Sequence, residues 1–238
     1  MKRIIMMFLR NFWYLPYGGL RLWWYAAHAD QISEEKRYAL LREITRHANH
    51  GGNLILDAHG MENIPKENGF IMFPNHQGMY DMLALIGSCE LPLSVVAKKE
   101  AGKVPVLRQV FRCMKALFID REDLRQSMKV IQEVTAEVKA GRNYVIFAEG
   151  TRSRQGNHLL EFKGGSFKAA TKSRCPIVPV ALIDSYKSFD TGSIKKITVQ
   201  VHYLPPIYYE EYKDMKTVEI AEEVKRRIEQ TIAEHTVV

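Results

Sequence analysis

The sequence predicts an α/β fold: one domain over residues 31–238, built on a mixed, mostly parallel sheet flanked by helices and preceded by an amphipathic segment over residues 1–30. Three observations carry this. Seven short apolar runs, each bounded by Gly, Pro, Asn or charged residues, lack the strict alternation of a sheet that faces water on one side. Helical patterns separate several of these runs, the arrangement that covers a sheet on both faces. A chain of 238 residues with 46% hydrophobic and 26% charged residues can bury one substantial core and is neither disordered nor polytopic in composition.

Taken in order, the first 28 residues, MKRIIMMFLRNFWYLPYGGLRLWWYAAH, hold all 3 Trp of the chain, with Lys2, Arg3, Arg10 and Arg21 and no acid before Asp30. Crossing a bilayer takes roughly 18 or more consecutive apolar residues, and Arg10, Asn11, Pro16, Gly18, Gly19 and Arg21 interrupt every run. No apolar core leads to a small-residue cleavage site, so the segment does not read as a cleaved signal peptide. Two short amphipathic helices broken near Pro16–Gly19 are expected, either lying in a lipid headgroup layer or packed as a hairpin on the body or a partner.

A helix follows over SEEKRYALLREITRHANHGG, capped by Ser33, with Glu34 and Glu35 in its first turn and Gly51–Gly52 as its stop. The strands are expected in NLILDAHG, GFIMFPN, LSVVAK, KALFID, NYVIFAEG, PIVPVALI and KITVQVHYL. Residues 122–139 repeat Leu124, Met128, Ile131, Val134 and Val138 at helical spacing, and residues 217–234 close the chain with another helix.

Polar residues gather directly after strands, where ligands of such sheets bind. After GFIMF come Asn75, His76 and Asp81. Five residues apart on one regular helix, His76 and Asp81 would be separated by roughly 140°; with His76 in the loop they can meet. An HxxxxD arises by chance in about one such chain in four, so the spacing alone leaves open a catalytic pair or a capped helix with a solvated acid. After NYVIFA come Glu149, Gly150, Thr151 and Arg152, readable as a phosphate cradle or as a charged turn with a Glu149–Arg152 ion pair. Lys98, Lys99, Arg121 and Lys163 stand at strand ends or beside a glycine pair. Formal charge +7 and pI near 9.2 suggest an anionic partner without choosing among membrane, nucleic acid and phosphorylated substrate. The 3 Cys form no CxxC pair, and no HExxH or Cys/His ligand set occurs, so neither disulfide framework nor metal site is expected. No GxSxG is present.

Read together, NHQGMYD, VAKKE, FIDR, FAEGTRS, FKGG and IVPVAL, in that order over residues 50–205, resemble the motif blocks of the 1-acyl-sn-glycerol-3-phosphate acyltransferases within the glycerolipid acyltransferase superfamily. The resemblance implies His76 and Asp81 as a catalytic dyad. It implies Glu149, Gly150, Thr151 and Arg152, aided by Lys98 and Arg121, as the substrate phosphate site, and an acyl-donor or local structural block around Val178–Val180. It further implies transfer from acyl-CoA or an acyl carrier protein thioester, with no resident cofactor or metal. The partners would be a lipid substrate, an anionic membrane surface and an acyl carrier protein, not nucleic acid. The place would be the cytoplasmic face of the cell membrane, held peripherally or monotopically by the N-terminal helices. A related acceptor, glycerol 3-phosphate or another lysophospholipid, and a non-catalytic lipid-binding protein are the alternatives. Gly78 stands where many relatives carry Ser, and Ala148 where many carry Pro.

Overall fold

The computed structural model describes residues 2–120 and 122–236. Arg121 therefore lies outside the described residues, and its assignment to the phosphate site stays an expectation. Helices α1 (Lys2–Arg10), α2 (Tyr14–Ala27) and α3 (Glu34–Gly51) lead into strand β1 (Leu54–His59), followed by β2 (Ile71–Pro74), α4 (Asp81–Ser88) and β3 (Ser94–Lys98). Then come α5 (Pro105–Met114), β4 (Leu117–Ile119), α6 (Leu124–Lys139), β5 (Tyr144–Val145), α7 (Lys168–Ser173), β6 (Ile177–Ile183), β7 (Ile197–Tyr203), α8 (Tyr209–Tyr212) and α9 (Thr217–His235). All seven strands fall in the runs quoted above.

They form one sheet in the order β1-β7-β6-β2-β5-β3-β4. Every pairing is parallel except β6 against β7. β6, β2, β5, β3 and β4 therefore end on one edge of the sheet, and β1, which runs the other way, begins there. Alternate residues of β2 feed opposite faces: Met72 joins a core with α2, α3, α4 and α5, while Ile71 and Phe73 join one with α6, α7 and α9. The helix caps follow the sequence. The Ser33 hydroxyl accepts from the Lys36 N–H at 3.4 Å, and the Asp123 carboxylate accepts from Arg125 and Gln126. In α6 the buried stripe is Val130, Val134 and Val138. Leu124, counted in that stripe from its spacing, opens the helix and stands in solvent.

The break between the first two helices lies at residues 11–13, not at Pro16–Gly19. The Asn11 amide Nδ2 donates to the carbonyls of Met7 and His47 and so closes α1 onto α3. Pro16 falls in the first turn of α2, where its missing N–H costs nothing. Gly18 lies within α2, and the Tyr14 ring occupies the space its Cβ would need, 2.5 Å away. Both helices pack on the body. Met7, Leu22 and Ala26 belong to the core, and the buried Arg3 guanidinium donates to the carbonyls of Gly52 and Lys195. Their other face leaves Ile5, Phe8, Leu9, Phe12, Trp13, Leu20, Trp23 and Trp24 exposed. Among the described residues no helix is long and apolar enough to cross a membrane.

On β1 and β7, at the lateral end of the sheet, the rings of His59 and His202 stack at 4.6 Å between centroids, and the His235 ring lies tilted against His202 at 4.3 Å. Burial, then the charges of His235 and His59, lower the His202 pKa from 6.5 to about 4. The unfolded chain thus binds a proton at higher pH than the folded one does, so stability contributed by neutral His202 is present above about pH 6.5 and is lost as pH falls toward 4. We expect the urea midpoint to drop across that window, and His202→Gln to flatten the drop; an unchanged pH profile in the variant would refute this.

Candidate active site

The site is assembled at the sheet edge where β6, β2, β5, β3 and β4 all end. β2 stops at Pro74, and the next residues loop outward before α4 begins at Asp81. Asn75 ties that loop down: its Oδ1 accepts from the Leu182 N–H at 2.7 Å and its Nδ2 donates to the Leu182 carbonyl at 3.0 Å, bonding the end of β2 to β6. His76 follows in the loop and Asp81 is the first residue of the helix, so the two meet, with His76 Nδ1 2.7 Å from Asp81 Oδ2.

Asp81 is wholly buried, and an unpaired buried carboxylate is costly. Here it is fully satisfied. The N–H groups of Gln77 and Gly78 donate to Oδ2 at 2.6 and 3.0 Å, and the buried Ser185 hydroxyl donates to Oδ1. The start of α4 adds a favourable dipole. An acceptor carboxylate fixes the His76 proton on Nδ1 and leaves Nε2 as a lone-pair acceptor. Nε2 makes no hydrogen bond to a described residue, and the ring stacks on Phe147 at 4.1 Å between centroids, partly open to solvent. This arrangement can take a proton from a hydroxyl and stabilise the imidazolium that results.

Glu149 departs from its expected place in the phosphate site. It is buried, and its two carboxylate oxygens accept from the His76 N–H at 2.6 Å and the Leu160 N–H at 2.9 Å. No Glu149–Arg152 ion pair forms. Burial raises the Glu149 pKa against the pull of those two amides. A buried anion has nothing to offer a phosphate; this one fastens the end of β5 to the His76 backbone, a link repeated where the Ser153 N–H donates to the His76 carbonyl at 2.8 Å. Gly150, at φ +77, makes the turn beyond Glu149, and Lys163 fills the space a side chain there would take, its Nζ 3.1 Å from the missing Cβ.

Thr151 is exposed and Arg152 half-buried on the same turn. Among the described residues neither Arg152 nor Lys163 is held in an ion pair. Lys98, at the end of β3, lies two strands from β2, on the order of 10 Å. It is engaged only with exposed Glu100 at 3.5 Å, a surface pairing worth about 0–1 kcal/mol and readily exchanged. The structure thus joins His76, Asp81 and Glu149 by direct bonds and sets Arg152, Lys163 and Lys98 along the same edge. Val178 and Val180 lie fully buried in β6, inside the core. Gly78 faces Asp190 and the Tyr186 backbone, where a Cβ would come within 2.7 and 3.3 Å. The Ala148 N–H makes no bond with a described residue, while its carbonyl accepts from Lys163.

Four further residues support the site; Gln77 and Phe147 lie inside the quoted motif blocks without having been singled out, and Ser185 and Asn157 lie outside them. Ser185 follows β6, so the strand-end rule that singled out His76 and Glu149 could have flagged it. Gln77 Nε2 donates to the Leu182 carbonyl and to Asn157 Oδ1, Asn157 Nδ2 donates to Asp184, and Phe147 carries the imidazole ring. Cavities of about 580 Å³ beside α8 and α9 and about 560 Å³ between α3, β1 and α4 are lined by other residues; the His76 side chain is partly exposed outside both.

A family model described as acyltransferase matches residues 55–183, a span that runs from β1 to the end of β6 and holds His76, Asp81, Glu149 and Arg152. Fold and match together define the class as an acyltransferase. The 1-acyl-sn-glycerol-3-phosphate acyltransferase of Salmonella typhimurium is 33% identical over 165 residues, 69% of this chain and 67% of that one. The enzyme of the same name from Escherichia coli K12 is 34% identical over the same shares. The crystal structure of PlsC, the 1-acyl-sn-glycerophosphate acyltransferase of Thermotoga maritima, superposes with a TM-score of 0.77 at 21% identity, covering 99% of this chain and 97% of that one. The chain belongs to the 1-acyl-sn-glycerol-3-phosphate acyltransferase family.

Proposed function

We propose that this enzyme transfers a fatty acyl group from an acyl thioester, carried by coenzyme A or acyl carrier protein, to the sn-2 hydroxyl of 1-acyl-sn-glycerol-3-phosphate in phospholipid synthesis. The observation that carries the reading is the His76–Asp81 contact, with Nε2 open, on the edge where Arg152 and Lys163 stand without ion pairs. His76 Nε2 takes the hydroxyl proton as the oxygen attacks the thioester carbonyl carbon. The tetrahedral oxyanion then collapses with loss of the C–S bond, and the thiolate takes the proton back from Nε2. Asp81 keeps the imidazole in the right tautomer and stabilises its cation, the division of labour known from serine hydrolases, with the acceptor hydroxyl in place of the serine. Arg152, Lys163 and Lys98 hold the acceptor phosphate, Arg by paired hydrogen bonds; Gly150 and Thr151 shape that turn.

The acceptor is a lipid, and the N-terminal helices supply a place to meet it. Arg10 Nη1 donates to Asn53 Oδ1 just before β1, whose start lies at the edge where β2 ends. The exposed residues Phe12 and Trp13, at the turn between α1 and α2, therefore stand toward the edge where β2 ends, suited to a headgroup layer. The test is a panel of acceptors, lysophosphatidic acid, glycerol 3-phosphate and other lysophospholipids, each offered with both donor thioesters. We expect lysophosphatidic acid to be preferred, and Arg152→Ala to raise its KM by about tenfold or more with a smaller change in kcat. Preference for a different acceptor would overturn the substrate assignment.

A further inference from the structure

We infer that the first turn of α5 is a second bilayer contact, so that the enzyme rests on an anionic membrane at two places that flank the His76 groove. This rests on the membrane reading above and adds to it a surface on the catalytic body itself.

Val104, Val106 and Leu107 are 47, 48 and 42% exposed, consecutive around Pro105 at the start of α5. Grouped exposed apolar side chains mark contact surfaces more often than scattered ones do. They are not loose core residues. The turn before them is seated from below: the Phe118 ring packs where a Gly102 Cβ would stand, 2.9 Å away, and Phe111 meets Phe118 edge to face at 5.6 Å. The aromatic residues of this region are used inward, and the aliphatic ones are left outward.

Two further observations choose the occupant. Residues 98–112 carry 5 basic side chains, Lys98, Lys99, Lys103, Arg108 and Arg112, against 1 acid, Glu100. Lys98 and Lys99 make only 3.5 Å pairs with Glu100 and Asp120, and Lys103, Arg108 and Arg112 make no ion pair with a described residue. Apolar side chains rimmed by cations fit an anionic lipid surface, since each cation is drawn to the negative headgroups. A second copy docking the same patch would set cation against cation.

Position is the other observation. α5 leaves the end of β3, on the edge where β2 ends. Its far end is fixed to the far end of α2, since Lys115 pairs with Asp30 at 2.7 Å and the Cys113 thiol lies 3.9 Å from the Leu22 carbonyl. The near ends of the two helices therefore point the same way, and the start of α5 faces the side that the exposed residues Phe12 and Trp13 face.

The three native cysteines are buried, so a cysteine introduced by Leu107→Cys in the full chain can be labelled selectively with a solvatochromic dye. Vesicles of phosphatidylglycerol and phosphatidylethanolamine should shift its emission to the blue, and a dye placed by Lys139→Cys, at the opposite end of α6, should not move. V106E/L107E should weaken vesicle binding by about tenfold or more. Flotation of the protein with vesicles while the dye at position 107 stays unmoved would overturn this contact and leave the N-terminal anchor standing. Failure of the wild-type chain to float would overturn the membrane reading and this contact together. A blue shift that grows with protein concentration and ignores vesicles would assign the patch to a second copy and overturn the lipid assignment.

Discussion

His76→Ala is expected to lower kcat/KM for acyl transfer to lysophosphatidic acid by about 10³-fold, within the range that a positioned general base supplies. The size follows from how little else can do its work. Nε2 is the ring nitrogen left without a partner among the described residues, and the carboxylates bonded to the His76 segment are committed elsewhere: Asp81 to four donors, Glu149 to two backbone amides. The fold should survive the change. The His76 ring is partly exposed and stacked on a single aromatic, its backbone bonds to Glu149 and Ser153 do not involve the imidazole, and Asp81 keeps three of its four donors. A stability loss of about 1 kcal/mol or less is expected, typical of a side chain at a surface groove. Thiol release followed by a colorimetric reagent, alongside a thermal melt, checks both halves. A variant within tenfold of wild type would remove His76 from the chemistry.

The strands were legible because their apolar runs are local and end abruptly at polar residues; so was the helix cap at Ser33. The break in the N-terminal helices was not, because Pro16 and Gly18 act as breakers only when nothing else decides. Here the Asn11 amide reaching the His47 carbonyl decides, and that is a matter of packing. The His76–Asp81 contact was foreseeable in its geometry, since the two residues are five apart and only a loop placement lets them touch. Glu149 was misplaced for a physical reason. A charged residue after a strand reads as a ligand contact, but whether it points out or in depends on which backbone amides await it, and those belong to residues 73 and 11 positions away. Ser185 lies 104 positions from the carboxylate it serves, and no local pattern announces such a bond. What the sequence carried well was strand-end chemistry; what it did not carry was which of those polar groups face each other.

Asp81→Asn is the second large effect, expected to lower kcat by about 10²- to 10³-fold with little change in KM, the mark of an interaction made in the transition state. The change is isosteric, so the loss is of charge and of proton placement and not of shape. In one orientation the amide oxygen keeps the N–H groups of His76, Gln77 and Gly78, and the NH2 turns to Ser185, whose hydroxyl can accept as well as donate. The tautomer then survives, and only the stabilisation of the imidazolium is lost. In the other orientation the NH2 faces His76 Nδ1, the proton is forced onto Nε2, and the base is disabled; that tautomer reversal is what costs about 10⁴ in the serine-protease triad. The Gln77 and Gly78 N–H groups favour the first orientation because they need an acceptor, and Ser185 adds to that preference by offering the NH2 an acceptor. Ser185→Ala alone should therefore be mild, about three- to tenfold in kcat, the loss of one hydrogen bond to a carboxylate that three others still hold. Placed on top of Asp81→Asn it should cost more than that, because only the Gln77 and Gly78 N–H groups then select against the disabled tautomer. Additive behaviour of the two changes would mean that Ser185 supports the fold and not the proton's position, and Ser185→Thr, which retains the hydroxyl, should restore most of what Ser185→Ala loses if position is its role.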